Sequence, residues 1–217
     1  MAYFPMFVDL ADKPCLVIGG GNVAYRKVKV LLDFDARIKV VAEDICDELR
    51  HLAADDKEAI TRTGIDTAGR ECSHVYQNTS DRIEIIKRRF EKKDCVGMKM
   101  VIAATDDKIL NHNIAEYCKS KNIMVNAVDQ KEDCSFIFSS YVKEKNLVAA
   151  FSSGGNSPVL TQYLKSKEKE ILTPFLGELN EYMGQIRESV IAEYDTEEER
   201  KRVFKEIVCK AIDNNKF

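Results

Sequence analysis

The sequence predicts a doubly wound α/β fold of the Rossmann type, followed by a hairpin region and a small helical domain. A short apolar run at residues 15–18 is followed by three glycines and then by an amphipathic helical pattern. Apolar strands and helical patterns then alternate up to residue 129, which is typical of a parallel sheet covered by helices. At 217 residues, the chain is long enough to bury one substantial core and a smaller attached region.

The first βαβ unit consists of strand 15–18, a helix with apolar residues at helical spacing from Val23 to Leu32, and strand 37–42. The right-handed crossover rule makes its strands parallel. Residues 54–80 are polar and have no clear period, which predicts a long loop or a short extra element.

Two further strands complete the predicted sheet. Residues 98–104 form an apolar run, and residues 105–107 begin a helix whose apolar face includes Leu110 and Ile114. The next strand, residues 123–128, ends at Asp129.

The pattern changes after Asp129. Residues 135–142 and 147–152 are strand-like and are joined by a polar turn, which predicts a hairpin outside the parallel sheet. Three helix starts follow, at Ser157-Pro158, at Thr173-Pro174 and at the capping box of Thr196 and Glu199. We therefore predict an α/β domain at 1–130, a hairpin region at 131–156 and a helical domain at 157–217.

The composition argues against several partners. Lysine and arginine total 33 against 36 acidic residues, and the like-charge runs are flanked by opposite charge, so we expect no nucleic-acid or membrane partner. The seven cysteines include no CxxC pair and follow no secretory signal, which favours reduced thiols in the cytoplasm. The three histidines lack ligand spacing, so no metal site is predicted.

The glycine turn matches GxGxxA between a strand and a helix, the context that the dinucleotide fingerprint requires. The first glycine permits the tight turn, the third lets the backbone approach a pyrophosphate, and Ala24 allows close packing of helix on sheet. The predicted cofactor contacts of the turn are Gly19, Gly20, Gly21, Asn22 and Val23. The alternative is a tight turn without a ligand.

Glu43 and Asp44 lie where an acidic residue binds the adenosine ribose hydroxyls. Carboxylates rather than an arginine at this point favour NAD over NADP, because a 2'-phosphate would meet like charge. The alternative is that both residues merely begin the next helix. Thr105, which follows strand 98–104, completes the predicted cofactor contacts.

Two segments are candidates for the chemistry. Asp129 ends a strand at the edge where open α/β sheets place reactive groups, although such an aspartate can also be only a turn residue. Ser153, Gly154 and Gly155 offer a hydroxyl and backbone N–H groups to an anionic substrate. Their alternative role is a simple transition from loop to helix.

Taken together, five ordered blocks resemble the precorrin-2 dehydrogenase/ferrochelatase module of siroheme synthase. The blocks are 4–10 (FPMFVDL), 15–24 with Arg26-Lys27 and Leu31-Leu32, 103–107 (AATDD) with Leu110-Asn111, 125–129 (NAVD after Val125) with 135–138 (SFIF), and 152–158 (SSGGNSP). The resemblance extends from about residue 3 to residue 190.

The resemblance implies NAD-dependent oxidation of precorrin-2 to sirohydrochlorin, with Asp129 assisting proton removal. It also implies that 1–130 is an NAD-binding domain and that 131–156 is a dimerisation hairpin region of an intertwined homodimer. It also implies iron insertion into sirohydrochlorin as a second activity that the sequence leaves open. The alternative function is an NAD-sensing regulatory module without catalysis.

Three features depart from the family pattern. Residues 54–80 are longer than usual, Asp35 stands in place of a glycine that permits the left-handed conformation, and Ser139 replaces a proline. The chain ends at Phe217 without a methyltransferase domain, so we expect another protein to supply precorrin-2.

Overall fold

The computed structural model describes residues 3–62, 82–214 and 216, with only the backbone for residues 57–62. The chain divides into two compact units, whose described residues are those up to 137 and those from 138 onward. The predicted helices and the part of the predicted hairpin region from residue 138 onward belong to the second unit, whereas residues 131–137 belong to the first. The three-part division into 1–130, 131–156 and 157–217 stays a prediction.

The first unit is built on a parallel five-stranded sheet, as the sequence predicts. Its strands are β1 (Pro14–Ile18), β2 (Arg37–Ala42), β3 (Ile83–Lys87), β4 (Met100–Ala103) and β5 (Met124–Ala127), in the spatial order β3-β2-β1-β4-β5. Ile18 is in register with Val41 of β2 and with Ala103 of β4. The carboxyl ends of these three strands therefore meet at one edge of the sheet.

Three helices connect the strands: α1 (Asn22–Leu32), α2 (Asp47–Arg62) and α3 (Lys108–Ser120). The central strands read as continuous apolar runs because helices cover the sheet. Leu16, Val101 and Val125 are fully buried, and α3 packs Ile114 and Ala115 against them. Asp35, after α1, has φ 56°, so the aspartate occupies the left-handed conformation that the sequence analysis allowed for it.

The expectation for residues 54–80 needs correction where they are described. Residues 54–62 are not a loop, because they continue α2, which directs Leu49 and Ala53 into the core. Residues 63–80 lie outside the described residues. Strand β3, which follows, was not predicted; it is the edge strand, and Glu84 and Lys87 interrupt its apolar residues.

The second unit begins with an antiparallel pair, β6 (Ser140–Glu144) and β7 (Leu147–Phe151). The hairpin prediction is confirmed, but its first strand begins at residue 140 rather than 135, and its turn is the two-residue Lys145-Asn146. Residues 135–139 are not in this strand because Ser135 bonds to β5 of the first unit: its N–H donates to Val125 O at 2.8 Å.

Three helices complete the second unit: α4 (Pro158–Ile171), α5 (Pro174–Glu193) and α6 (Glu197–Asn214). The predicted starts are confirmed, since Ser157 Oγ accepts from Leu160 N and Thr196 forms its capping box with Glu199. Thr173 makes no side-chain capping bond, although Pro174 begins α5. None of the described helices is both long enough and apolar enough to cross a membrane.

Candidate functional site

The glycine turn is held from two sides by the sheet and the next loop. Gly19 has φ 117°, and its N–H donates to Val41 O at 3.0 Å. A Cβ at Gly19 would lie 2.2 Å from Ala104 O, and a Cβ at Gly20 would lie 2.0 Å from Asp44 O. The first two glycines are thus required by close approach of the protein backbone to itself.

Gly21 differs from the two glycines before it in the space around its Cα. A Cβ there would meet nothing within 4 Å among the described residues. Gly21 is also the N-cap of α1, and no described side chain caps this helix end. Because the first N–H groups of a helix have no intrahelical acceptor, they can bind an anion in front of Gly21. This geometry fits the pyrophosphate of a dinucleotide.

Glu43 and Asp44 occupy the bend between β2 and α2. Since α2 begins only at Asp47, neither residue starts the helix. Glu43 is exposed, and Arg89 Nε donates to its Oε1 at 2.9 Å. An arginine thus lies beside the carboxylate at the predicted ribose position, which the sequence analysis did not foresee.

Thr105 follows β4 at the same edge of the sheet. Its N–H and its hydroxyl both donate to Oδ1 of Asn111, at 3.2 and 2.7 Å, and Asn111 Nδ2 donates to Thr105 O at 2.9 Å. Asn111 is 1% exposed. The loop between β4 and α3 is therefore fixed by a buried amide, and Asp107 caps the helix.

Asp129 follows β5 by two residues, is exposed and has φ 59°. An aspartate adopts this left-handed conformation more readily than most residues, since its side chain can bond to nearby backbone. The turn is anchored by Val128, whose N–H donates to Ala103 O at 2.9 Å. Asp129 thus lies at the carboxyl edge of the sheet, where the glycine turn also lies.

Lys27, on α1, is a further charged group of this neighbourhood. Burial lowers the pKa of Lys27, while the charges of Cys134 and Asp129 act to raise it. Cys134 Sγ in turn contacts Ala127 O at 3.2 Å and Gln130 O at 3.3 Å. The half-buried ammonium therefore belongs to the electrostatic surroundings of the strand-end aspartate.

A family model described as "Putative NAD(P)-binding" matches residues 6–140, the part of the chain that contains this edge. The chain belongs to this family. Membership supports a nicotinamide cofactor and leaves the choice between NAD and NADP open.

The resemblance to siroheme synthase is also confirmed. The chain is 31% identical to the siroheme synthase of Vesicomyosocius okutanii subsp. Calyptogena okutanii over 217 residues, 100% of this chain and 41% of that protein. It is 36% identical to that of Thioalkalivibrio sulfidiphilus over 208 residues, 96% of this chain and 37% of that protein. The chain thus spans about two fifths of the length of these curated relatives.

A solved structure titled "SirC, precorrin-2 dehydrogenase" has the same fold. It superimposes with a TM-score of 0.72 and 19% sequence identity, over 96% of this chain and 91% of that one. The Rossmann-like sheet and the helical C-terminal part are therefore shared.

The structure also brings together His112 and Asp133, which the sequence analysis did not select. His112 Nδ1 lies 2.9 Å from Oδ1 of Asp133, which is 7% exposed, and Gln130 Nε2 donates to Asp133 Oδ2 at 3.0 Å. The carboxylate orients the imidazole. No group of three His, Cys, Asp or Glu among the described residues is arranged to hold a metal ion.

The predicted substrate loop lies in the second unit. Gly154 and Gly155 have φ 62° and 86°, which glycine adopts without steric cost. Ser153 Oγ accepts from Ser157 N at 3.0 Å, and Ser152 Oγ accepts from Gly154 N at 3.1 Å. The loop thus leads into α4 through its own hydrogen bonds, and each serine hydroxyl also has a hydrogen to donate.

Proposed function

We propose that this chain is an oxidoreductase that converts precorrin-2 to sirohydrochlorin with NAD. The observation that carries the proposal is the carboxyl edge of the sheet, where an open helix N-terminus at Gly21 and the carboxylate of Asp129 follow strands of the same sheet. The siroheme synthase relatives support the choice of substrate.

The nicotinamide cofactor supplies the hydride acceptor when bound. The N–H groups of Asn22 and Val23, at the start of α1, bind the pyrophosphate, and Glu43 accepts hydrogen bonds from the adenosine ribose. Asp44 and Thr105 stay predicted contacts of the same site.

The chain itself handles the proton. Removing two electrons and a proton from precorrin-2 as hydride leaves one more proton to be lost, and the proposal assigns its acceptance to the carboxylate of Asp129. An exposed carboxylate can pass this proton on to water. The charge of Asp129 in turn acts to raise the pKa of Lys27, so this ammonium belongs to the electrostatic surroundings of the proposed base.

The macrocycle carries carboxylate side chains, which need hydrogen-bond donors. We assign part of this task to Ser153 and to the Gly154-Gly155 turn, because a hydroxyl and backbone N–H groups suit carboxylate oxygens. Both glycines have positive φ, so the direction of the N–H groups in this turn depends on a backbone conformation that only glycine adopts without strain.

A homodimer is also part of the proposal. Helix α4 exposes apolar side chains at helical spacing, and these are Val159, Leu160, Tyr163, Leu164 and Ile171, with exposures from 38% to 79%. An apolar stripe of this kind on a helix is typical of an interface. Sedimentation should therefore give a mass of twice 24.7 kDa at micromolar concentration. Leu160→Glu should shift the mass to the monomer, whereas Gln162→Glu on the same helix should not.

The activity is tested by incubating the chain with precorrin-2 and NAD without oxygen. The expected result is NADH absorbance that rises together with the sirohydrochlorin spectrum. NAD binding without either signal would contradict the enzyme and favour the NAD-sensing regulatory module. Iron insertion into sirohydrochlorin and a cytoplasmic location stay predictions.

A further inference from the structure

Glu43 and Arg89 meet at the carboxyl edge of the sheet although they are 46 positions apart. Ala42 of β2 is in register with Lys87 of β3, and the two charged residues follow these paired positions. Arg89 Nε donates to Glu43 Oε1 at 2.9 Å. The side chains are 85% and 61% exposed, so both can also reach a ligand.

The neighbouring residues fix the backbone that carries Arg89. The guanidinium of Arg88 donates to Arg89 O at 2.8 Å and binds both oxygens of Asp94, at 2.9 and 2.6 Å. The side chain of Asp94 is 5% exposed and also accepts from Glu91 N at 2.9 Å. Arg89 therefore extends from a segment that is held to a buried carboxylate.

The pair lies beside the position of the adenosine ribose. In a dinucleotide-binding sheet, an acidic residue after the second strand binds the ribose 2'-hydroxyl, and a nearby arginine accommodates a 2'-phosphate. Glu43 is the residue after β2. This chain thus carries the group suited to NAD and the group suited to NADP, joined in one ion pair.

We propose that the Glu43–Arg89 pair sets the discrimination between NAD and NADP, with Arg89 as the residue that limits it. This inference rests on the proposed function, because it requires the dinucleotide at the glycine turn. Glu43 accepts from the 2'-hydroxyl of NAD and repels a 2'-phosphate. Arg89 neutralises part of that repulsion and offers a planar donor pair that suits phosphate oxygens.

The pair makes opposite predictions for its two members. Without Arg89, the full charge of Glu43 faces the 2'-phosphate, so NADP affinity should fall by about tenfold or more while NAD affinity changes little. Without the Glu43 charge, Arg89 is released to bind the phosphate, so NADP affinity should rise by about tenfold or more relative to NAD. These changes correspond to at least about 1.4 kcal/mol each.

The test is calorimetric titration of NAD and of NADP into the full chain. The variants are Arg89→Ala, Glu43→Gln and the double variant, and Lys121→Ala is the control that removes one positive charge before β5, at the opposite edge of the sheet. The double variant should lose the NADP gain of Glu43→Gln, and the control should keep the parental ratio of affinities.

The outcomes separate this inference from the proposed function. Parental protein that binds neither dinucleotide would overturn the proposed function. Parental protein that binds NAD, combined with an Arg89→Ala variant whose two affinities change by the same factor, would overturn only the role of Arg89. A Glu43→Gln variant that keeps the parental ratio of affinities would overturn the role of the pair.

Discussion

Asn111 closes three hydrogen bonds on Thr105, accepting two through Oδ1 and donating one through Nδ2. One buried amide on α3 thus satisfies the N–H, the hydroxyl and the carbonyl of a residue in the preceding loop. Thr105 is a predicted cofactor contact, so the position of this contact depends on a side chain that is itself 1% exposed.

Asn111→Leu should therefore lower both stability and affinity. Removing the amide leaves the N–H and the C=O of half-buried Thr105 without this partner, while its hydroxyl can still donate to Asp107 O at 3.2 Å. The loss should cost about 1–3 kcal/mol of unfolding free energy. We expect NAD affinity to fall with it, because the loop after β4 loses its anchor. Urea unfolding and calorimetric titration measure the two effects. Asn113→Ala, exposed on the same helix, should change neither, and parental values for Asn111→Leu would contradict the anchoring role.

The glycine turn predicts two different defects from adjacent positions. Gly21→Asp should fold normally, since its Cβ meets open space, but it should lose NAD binding because a carboxylate faces the phosphates. Gly20→Ala should instead destabilise the fold, because its Cβ would lie 2.0 Å from Asp44 O. Thermal unfolding followed by titration distinguishes the two. A folded Gly21→Asp protein with parental affinity for NAD would show that this turn does not bind the pyrophosphate.

The Asp129→Asn variant should fold normally but lose most of its dehydrogenation activity. Asparagine tolerates φ 59° as aspartate does but cannot accept the proton, so the dehydrogenation rate should fall by about 10²-fold or more. Asp129→Ala is the poorer test, since alanine in the left-handed conformation costs about 1–2 kcal/mol.

A matched control exists for Asp129. Asp12 is also an exposed aspartate with positive φ, 56°, but it precedes β1 at the opposite edge of the sheet. Asp12→Asn should oxidise precorrin-2 at the parental rate. If Asp129→Asn does so as well, Asp129 is only a turn residue. If iron insertion is also present, Asp129→Asn should slow it too.

The Arg88–Asp94 pair predicts a pH dependence of stability. The hydrogen bonds from Arg88 lower the pKa of Asp94 below its ordinary value in the folded protein. Its contribution is therefore fully present above the unfolded value of about 4 and is lost as the pH falls through the lower folded value. Asp94→Asn should cost about 1.5–3 kcal/mol at pH 7 and less at pH 3.5.

Urea unfolding at the two pH values measures this difference. Glu84→Gln, which breaks a surface ion pair with Lys39, should change stability by less than about 1 kcal/mol at either pH. An Asp94→Asn deficit that stays constant between pH 7 and pH 3.5 would contradict the role of the carboxylate charge.

The sequence was informative where local patterns determine the structure. The glycine turn, the strands on both sides of α1 and α3, and the caps at Ser157 and Thr196 all follow from neighbouring residues, and the structure has them in place. Strand β3 was missed because an edge strand with exposed charges lacks a continuous apolar run.

Contacts between distant residues had no local signal. Arg89 reaches Glu43 only because β2 and β3 pair in one register, and nothing in either segment specifies that pairing by itself. The left-handed backbone of Asp129 was likewise not deduced, since aspartate also adopts ordinary turn conformations. Which side chains meet in a site can therefore be determined only once the fold is known.

The glycine turn, the proposed site of the dinucleotide pyrophosphate, is held by the protein's own backbone: Gly19 N–H donates to Val41 O, and Cys46 N–H donates to Gly20 O at 2.8 Å. Ordering a loop on binding costs conformational entropy, and a preorganised loop avoids most of that cost. Association should therefore be limited by diffusion and orientation rather than by a loop rearrangement. Amide exchange at Gly19 and Cys46, whose N–H groups are hydrogen-bonded within the protein, should already be slow before the dinucleotide is added.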